Sequence, residues 1–407
     1  MIEHPQLRCV LLADGSLGSA LQAARLLAQR GVEVAVACAG TGGRVVGASS
    51  AVVAATDLPD DDQHSYVGAL LDWLKALPGG EYVGRPIPII PLSDRLAAWL
   101  NVTREGFEPE YVLGIPPSPV LQPLLSKHLA MLTAERAGLD VAPWRLVSSP
   151  GQAESAVEAL GMPLIARPTS WSTHGDAYFK QAILQDPDNA TRFLRSQLSE
   201  AAELVLQEFL DVEADSIEFA IVGTTPAGEI ESLTTGRKRA SSSDRGGVLA
   251  WGEAAWLPDV AEACRAFIAE SGFTGVGGIE FIRHSGRLWF VEFNPRLEAI
   301  HFLSDLAGVP HLWPHVAGLA GLEMANRKPP AQRPAAIWME TAWLDRVINH
   351  PPSIRTAVSQ YRQYRRFPER ASAIFDPVDP RPAAAYLSIL GSRGLRRIRP
   401  RSRSVSS

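Results

Sequence analysis

The sequence predicts a chain of α/β and α+β units, with a small parallel α/β domain first and a mixed region that closes on an acidic β-hairpin. Three stretches carry this reading. Leu7–Ala13 (LRCVLLA), a turn with Gly15 and Gly18, a helix from about Ser19 to Arg30, and VEVAVAC (32–38) spell strand, turn, helix, strand, a parallel βαβ unit. Gly114 to Pro119 (GIPPSP) is a stiff linker. GVGGIEFIRHSGRLWFVEFNPRLE (275–298) reads as two strands around a turn at Ser285 and Gly286.

The 407 residues are enough for two or three domains with sizeable cores, and 46% hydrophobic with 20% charged residues is the composition of a soluble globular protein. A net charge of −5 gives no general case for nucleic-acid binding. Cys9 and Cys38 fall in predicted strands and Cys264 in a helix. Three isolated cysteines without metal spacing read as buried thiols of a reducing compartment. MIEHPQLR lacks a signal-peptide pattern, and no run of 18 apolar residues offers a membrane span, so a cytoplasmic protein is expected.

Residues 1–118 form the first domain. Gly15 and Gly18 do not make GxGxxG, so its expected role is scaffolding, or a lip to a substrate pocket, rather than cofactor binding. Arg44, Val45 and the serines after them read as a loop, Tyr66–Leu77 as a helix, and two further βα pairs fill 81–113.

Residues 119–205 form a small mixed subdomain. A helix starts near Ser126 with Lys127 at its head; VAPWRLVSS is a strand, GQAESAVEAL a helix and MPLIARP a strand ending at Arg167. TSWSTHGDAYFK (169–180) offers Ser170, Ser172, Thr173, His174 and Gly175 before Lys180, either a loop that folds over phosphates or a plain long turn. A helix from Asn189 to Glu200 leads to the strand LVLQEFL, in which Glu208 interrupts an apolar run beside Gln207, Phe209 and Leu210.

Residues 206–325 form the larger domain. Arg237, Lys238 and Arg239 make a cation cluster beside a Ser/Gly-rich loop containing Asp244, Arg245, Gly246 and Gly247, either solvated or gripping an anion. Asp259–Glu270 is a helix that feeds the hairpin. Strand alternation puts Glu292 and Asn294 on one face, and Val291 and Phe293 on the other. A three-residue turn from Ser285 to Arg287 sets Glu280 opposite Glu292; a two-residue turn leaves it one position off. Facing carboxylates with a carboxamide beside them are hard oxygen ligands that suit Mg2+; the plain alternative is a hairpin whose acids face water. Arg296 follows Asn294 and Pro295 and brings a guanidinium able to bind a phosphoryl oxygen. Beyond it lie a helical stretch broken by Pro310 and Pro314, a C-terminal extension (326–390), and an Arg-rich tail (391–407) expected to have no structure.

Together these residues resemble the ATP-grasp superfamily over residues 1–325, and more weakly to 390. GGIEF with WFVEFNPR resembles its metal-binding signature, LVLQEFL its adenine-side strand, and SKHLAMLTAERAGLDVAP the segment that carries a nucleotide lysine. FDPVDPRP (375–382) is similar to the C-terminal segment of the group around D-aspartate ligase, and carbamoyl phosphate synthase domains are the other near flavour. The resemblance implies an ATP-grasp fold behind a Rossmann-like domain, using ATP and Mg2+, two ions, with Mn2+ as a substitute. It implies Lys127 and Arg167, where lysine is usual, on the phosphates, helped by Lys180, and Gln207, Glu208, Phe209 and Leu210 along the adenine. Glu218 would hold the ribose or the lysine side, and Glu280, Glu292 and Asn294 the metal. Arg296 would stabilise an oxyanion, with Arg237 and Arg239 on the carboxylate or acylphosphate. The implied activity is ATP-dependent ligation of a small carboxylate to an amine through an acylphosphate, releasing ADP and phosphate. Net charge and the lack of a long apolar run lead to no nucleic-acid or membrane partner being expected, and size alone makes a homodimer the usual expectation. The alternatives are a carboxylase, an ammonia-using ligase, or a nucleotide-binding regulator or scaffold, the last supported by Arg167.

Overall fold

The structure is a computed structural model that describes residues 7–77, 85–169, 179, 181–198, 203–212, 216–244, 246–322 and 331–398. Lys180, Arg245 and the loop residues Ser170, Ser172, Thr173, His174 and Gly175 lie outside the described residues.

The first sheet contains β1 (Leu7–Asp14), β2 (Val32–Ala39), β3 (Ala54–Leu58), β4 (Ile87–Pro91) and β5 (Tyr111–Leu113), all parallel in the order β3-β2-β1-β4-β5. Helices cover both faces, so β1 is apolar without alternation and Cys9 to Ala13 are fully buried. Strand β3, AATDL, forms beyond the expected loop at 44–50 and has no apolar run to announce it. The glycine turn after β2 is filled from within: the Gly42 and Gly43 N–H groups both donate to Asp57 Oδ1, at 2.8 and 2.5 Å. A backbone nest that would suit an external phosphate holds the chain's own carboxylate. All three cysteines are free and buried.

Next come β6 (Asp140–Val141), β7 (Trp144–Val147), β8 (Leu164–Pro168), β9 (Ala182–Leu184) and β10 (Leu204–Glu208); the last four make a small antiparallel sheet, order β7-β10-β8-β9. The large sheet has eight strands: β11 (Ile217–Thr224), β12 (Ile230–Ser243), β13 (Gly246–Ala254), β14 (Val276–His284), β15 (Arg287–Asn294), β16 (Ala335–Trp338), β17 (Glu369–Ser372) and β6, in the order β17-β16-β13-β12-β11-β14-β15-β6. Two expectations change here. The basic, Ser-rich stretch read as a loop is the long β12–β13 hairpin, and the C-terminal extension supplies two strands of the large sheet. The last helix, Arg381–Ile398, also takes in eight residues of the tail expected to lack structure.

The helix Pro258–Ser271 packs on one face of the large sheet, where Phe267, Phe273, Phe281, Phe290 and Phe293 form a buried aromatic cluster. The first domain is fused to the rest through a shared core in which Leu21 and Val36 pack with Leu297, Leu312 and Ile374. A buried pair clamps the same junction: Arg25 Nε donates to Asp379 Oδ2 at 3.0 Å, and Ser49 Oγ donates to the same oxygen at 2.5 Å. Among the described residues no helix is long and apolar enough to cross a membrane.

Asp379→Ala removes the nearer carboxylate from the buried Arg25 guanidinium and leaves it Asp376 Oδ2 at 3.8 Å and backbone carbonyls, so it is expected to lower unfolding free energy by about 3 kcal/mol in urea denaturation; a change below about 0.5 kcal/mol would refute the clamp. A second expectation concerns acid. Burial pushes His301 and His315 down to about 4, from an ordinary value near 6.5. With the folded value depressed, the stabilisation is complete above pH 6.5 and is lost as pH falls towards 4. Unfolding free energies from denaturant titration at pH 7 and 5 should differ by about 2 kcal/mol for each ring, and His315→Gln should flatten part of that slope.

A candidate active site between two sheets

The β14–β15 hairpin turns on two residues, Ser285 (φ 50°) and Gly286 (φ 76°), with His284 opposite Arg287. Two consecutive left-handed residues match strand twist. That register runs through Phe281 opposite Phe290 and would leave Glu280 facing Val291. Instead Glu280 faces Glu292, because Val291 is an extra, bulged residue. The cause is in the core. Phe290 and Phe293 both bury their rings, at 2% and 4% exposure, yet they are three positions apart. Core-facing residues of a regular strand are separated by even numbers, so one residue must be absorbed. The bulge therefore turns Glu292 to the side of Glu280. The expected pairing of carboxylates is present, reached by a two-residue turn and a bulge rather than by a three-residue turn.

That side of the hairpin borders a cavity of about 330 Å3 between the small and large sheets. Lys127, Arg167, Gln207, Glu208, Phe209, Leu210, Glu280, Glu292, Asn294 and Arg296, all picked from the sequence, line it together. A smaller hollow behind it is bordered by Asp94, Lys127, Arg167 and Glu292.

Both lysines of the cavity stand beside carboxylates, and its buried arginines are hydrogen-bonded. Lys238 Nζ lies 2.7 Å from Glu280 Oε2 and donates to Gly247 O at 3.3 Å, with Lys238 only 4% exposed. Burial pushes the Glu280 carboxyl up, Lys238 draws it back, and the nearby Glu292 and Glu298 push it up again. Lys127 Nζ stands 3.9 Å from Glu292 Oε2. Arg167 is buried; its Nη2 donates to Gln207 Oε1, and Gln207 Nε2 in turn donates to Ala142 O at 3.1 Å. Burial lowers the Arg167 pKa against the pull of Glu292, and its Nε has no hydrogen-bond partner among the described residues.

Arg296 is held on three sides: Nε donates to Asp94 Oδ1 at 3.0 Å, Nη1 to Glu298 Oε2 at 3.0 Å and Nη2 to Asn294 Oδ1 at 3.1 Å. Glu298 lies across Gly278, where an added Cβ would come 2.4 Å from Glu298 Cγ. A side chain at position 278 would displace this carboxylate.

Three sequence choices do not reach the cavity. Glu218 pairs with Phe281 across the sheet and so points to the core side, where it accepts from Arg237 Nε at 3.1 Å and Arg283 Nη2 at 2.6 Å. Arg239 donates to Glu253 Oε1 at 2.6 Å. Alternation along β12 sends Arg237 and Arg239 one way and Lys238 the other, so the middle cation of the cluster is the one that enters the site. The sequence marks Lys238 only as one of a cation cluster, and it gives Glu298 and Asp94 no role. Period-two reading of 230–243 as a strand would have found Lys238; nothing local marks Asp94, which comes from 202 residues away.

Among the described residues no trio of His, Cys, Asp or Glu is grouped to hold a metal ion by itself. The donor set still fits Mg2+ in the manner usual at phosphate sites, with one or two carboxylates while water and phosphate oxygens complete the octahedron. Glu280, Glu292 and Asn294 present oxygens on one face at adjacent registers.

No family model matches the sequence, and no curated protein sequence does either. Solved structures do share the fold. N5-carboxyaminoimidazole synthetase from Staphylococcus aureus superposes with a TM-score of 0.59 at 18% identity, over 81% of this chain and 81% of that one. Biotin carboxylase from Campylobacter jejuni gives 0.60 at 13% identity, over 81% and 75%. The biotin carboxylase domain of Hydrogenobacter thermophilus 2-oxoglutarate carboxylase, solved as a dimer with MgADP, ADP and bicarbonate, gives 0.61 at 17%, over 82% and 74%. The chain thus has the ATP-grasp fold behind a Rossmann-like domain.

Proposed function

We propose that the protein is an ATP-dependent carboxylate–amine ligase, forming an amide bond through an acylphosphate and releasing ADP and phosphate. The observation that carries this reading is the meeting of Lys127, Arg167, Lys238 and Arg296 with Glu280, Glu292 and Asn294 in one cavity. Its volume of about 330 Å3 falls within the range of small-molecule sites. Ile165, Leu210, Ile217, Ile282 and Trp289 give one part of the wall an apolar lining suited to a nucleobase beside Gln207 to Phe209.

In this reading Lys127 and Arg167 hold the nucleotide phosphates, with Gln207 fixing the plane of the Arg167 guanidinium. Glu280, Glu292 and Asn294 would hold Mg2+, which when bound neutralises charge on the phosphoryl oxygens. A substrate carboxylate oxygen attacks the γ-phosphorus as the bond to ADP breaks. An amine then adds to the acylphosphate carbon, and phosphate leaves. Lys238 and Arg296 hold the carboxylate and the oxyanion that develops from it. No side-chain nucleophile is required. Arg237, Arg239 and Glu218 are left out of this assignment because they face away.

A second reading, carboxylation of an amine, has its own support: the structural relatives include proteins named as carboxylases, one with bicarbonate bound. Bicarbonate would then be the acid that is phosphorylated. Release of ADP and phosphate from MgATP, screened over amino acids and small carboxylates with and without amines and with bicarbonate alone, separates the two. Dependence on an organic acid and an amine supports the ligase, dependence on bicarbonate the carboxylase, and AMP release would overturn both.

Glu292→Gln is expected to cut Mg2+-dependent turnover by about hundredfold with the melting temperature nearly unchanged; full activity would remove Glu292 from the metal site. Arg167→Lys is expected to keep or raise activity, since charge is retained. A loss beyond tenfold, about 1.4 kcal/mol of transition-state stabilisation, would mean that the two-pronged guanidinium has a role lysine cannot fill.

A further inference from the structure

Every residue that lines the larger cavity lies at or beyond Lys127, but the smaller hollow beside it has one wall residue from the first domain, Asp94. It is the first residue of the helix Asp94–Val102, whose start is set by Ser93: the Ser93 side chain accepts the Leu96 N–H at 3.2 Å. The preceding strand, β4, adjoins β1 at the middle of the first sheet. The sheet's order reverses there, and ligand crevices of open parallel sheets open beyond the strand ends at such points. At this crevice Asp14 is already engaged by Arg95, at 2.9 and 2.7 Å. Asp94 instead reaches across to the acidic hairpin.

Its partner's other contacts are local. Arg296 lies past the end of β15, beyond Pro295, and its other side-chain acceptors, Asn294 and Glu298, are each two residues away on the same segment. Those contacts move with the segment. The Asp94 contact is the one anchored in another domain, and it is well enclosed, with the Arg296 and Asp94 side chains 14% and 17% exposed. It also takes Nε, leaving the two terminal nitrogens to face the oxygens of the hairpin end. Of the five N–H groups on a guanidinium, Nε has Asp94, the Nη1 pair has Glu298 and Leu297 O, and one of the Nη2 pair has Asn294. Among the described residues one N–H has no partner and remains for a ligand in the cavity that Arg296 lines.

We propose that Asp94 is a positioning residue: from the first domain it fixes the Arg296 guanidinium so that its remaining N–H meets an oxyanion beside the nucleotide. Without Asp94, the nearest large concentration of negative charge is the hairpin itself. Arg296 would then relax towards Glu292 and compete with the metal instead of meeting substrate. The first domain is in this sense a working part of the site rather than only its support. The inference rests on the anion-holding role given to Arg296 above.

The test uses MgADP and inorganic phosphate as probes, so it needs no knowledge of the organic substrates. MgADP is titrated into the full-length wild type, Asp94→Asn, Asp94→Glu and Arg296→Gln by calorimetry, and phosphate is then titrated into each MgADP complex. The expected result is MgADP affinity within about threefold of wild type in Asp94→Asn, with phosphate binding weakened about tenfold or more, equal to about 1.4 kcal/mol. Asp94→Glu should recover most of the loss. Adding Asp94→Asn to Arg296→Gln should change nothing further, because the residue acts through the arginine. Unchanged phosphate affinity in Asp94→Asn would overturn the proposal. So would an equal loss of MgADP and phosphate, which marks a general structural defect, or a wild type that binds MgADP but not phosphate. A wild type that binds no MgADP fails at the earlier step and overturns the nucleotide reading itself.

Discussion

Two carboxylates, Glu280 and Glu292, stand opposite each other on one face of a sheet, and the surroundings are arranged to make that tolerable. Like charges directly across a strand pair are destabilising, and burial worsens this by removing the water that would screen them. The chain answers with lysines from two different elements. Lys238 from β12 closes on Glu280 and Lys127 from the start of a helix stands by Glu292. The repulsion is thus offset. In the function proposed above, a divalent cation with nucleotide phosphates would replace the lysines at the carboxylates, and the lysines would then meet phosphate oxygens.

How the carboxylates come to face each other is a matter of core packing. The aromatic cluster of Phe267, Phe281, Phe290 and Phe293 demands that positions 290 and 293 both point inward. Each buried ring is worth roughly 2–3 kcal/mol of transfer free energy, whereas a bulge sacrifices about one ladder hydrogen bond, near 1 kcal/mol. Packing wins, the strand absorbs Val291, and Glu292 is delivered to the site. Function here is a by-product of parity: the hairpin turn alone would have sent Glu292 into the core.

This balance explains which parts of the molecule were legible in the sequence. The βαβ start, the small subdomain's helices and the acidic hairpin announced themselves through period and turn residues. The pairing of Glu280 with Glu292 was readable, but its cause was not, because a bulge depends on the partner strand and the helix beneath. The run RKRASSS hid a fourteen-residue strand, since serines and arginines between buried neighbours break the apolar alternation that marks a strand. From that misreading came the choice of Arg237 and Arg239 over Lys238, which a period-two rule would have reversed. Strands β16 and β17 are short and sit at the sheet's edge, so little in 335–372 advertised that they belong to the larger sheet.

The least legible part is the contribution of the first domain, and it follows from what that domain keeps for itself. Its glycine nest is filled by Asp57, and Asp14 is tied to Arg95. The groups with which such a domain ordinarily receives a phosphate or ribose are therefore spent on its own stability. The carboxylate at the head of the next helix, Asp94, accepts from Arg296 instead. An ion pair between domains holds its geometry only if the domains themselves are fixed. That fixity comes from elsewhere: the shared core of Leu21, Val36, Leu297, Leu312 and Ile374, and the Arg25–Asp379 pair with Ser49. The C-terminal extension, through Ile374 and Asp379, thereby contributes to the junction across which Asp94 and Arg296 meet. The acidic hairpin and its most distant partner are joined by packing, and charge only sets the final angle.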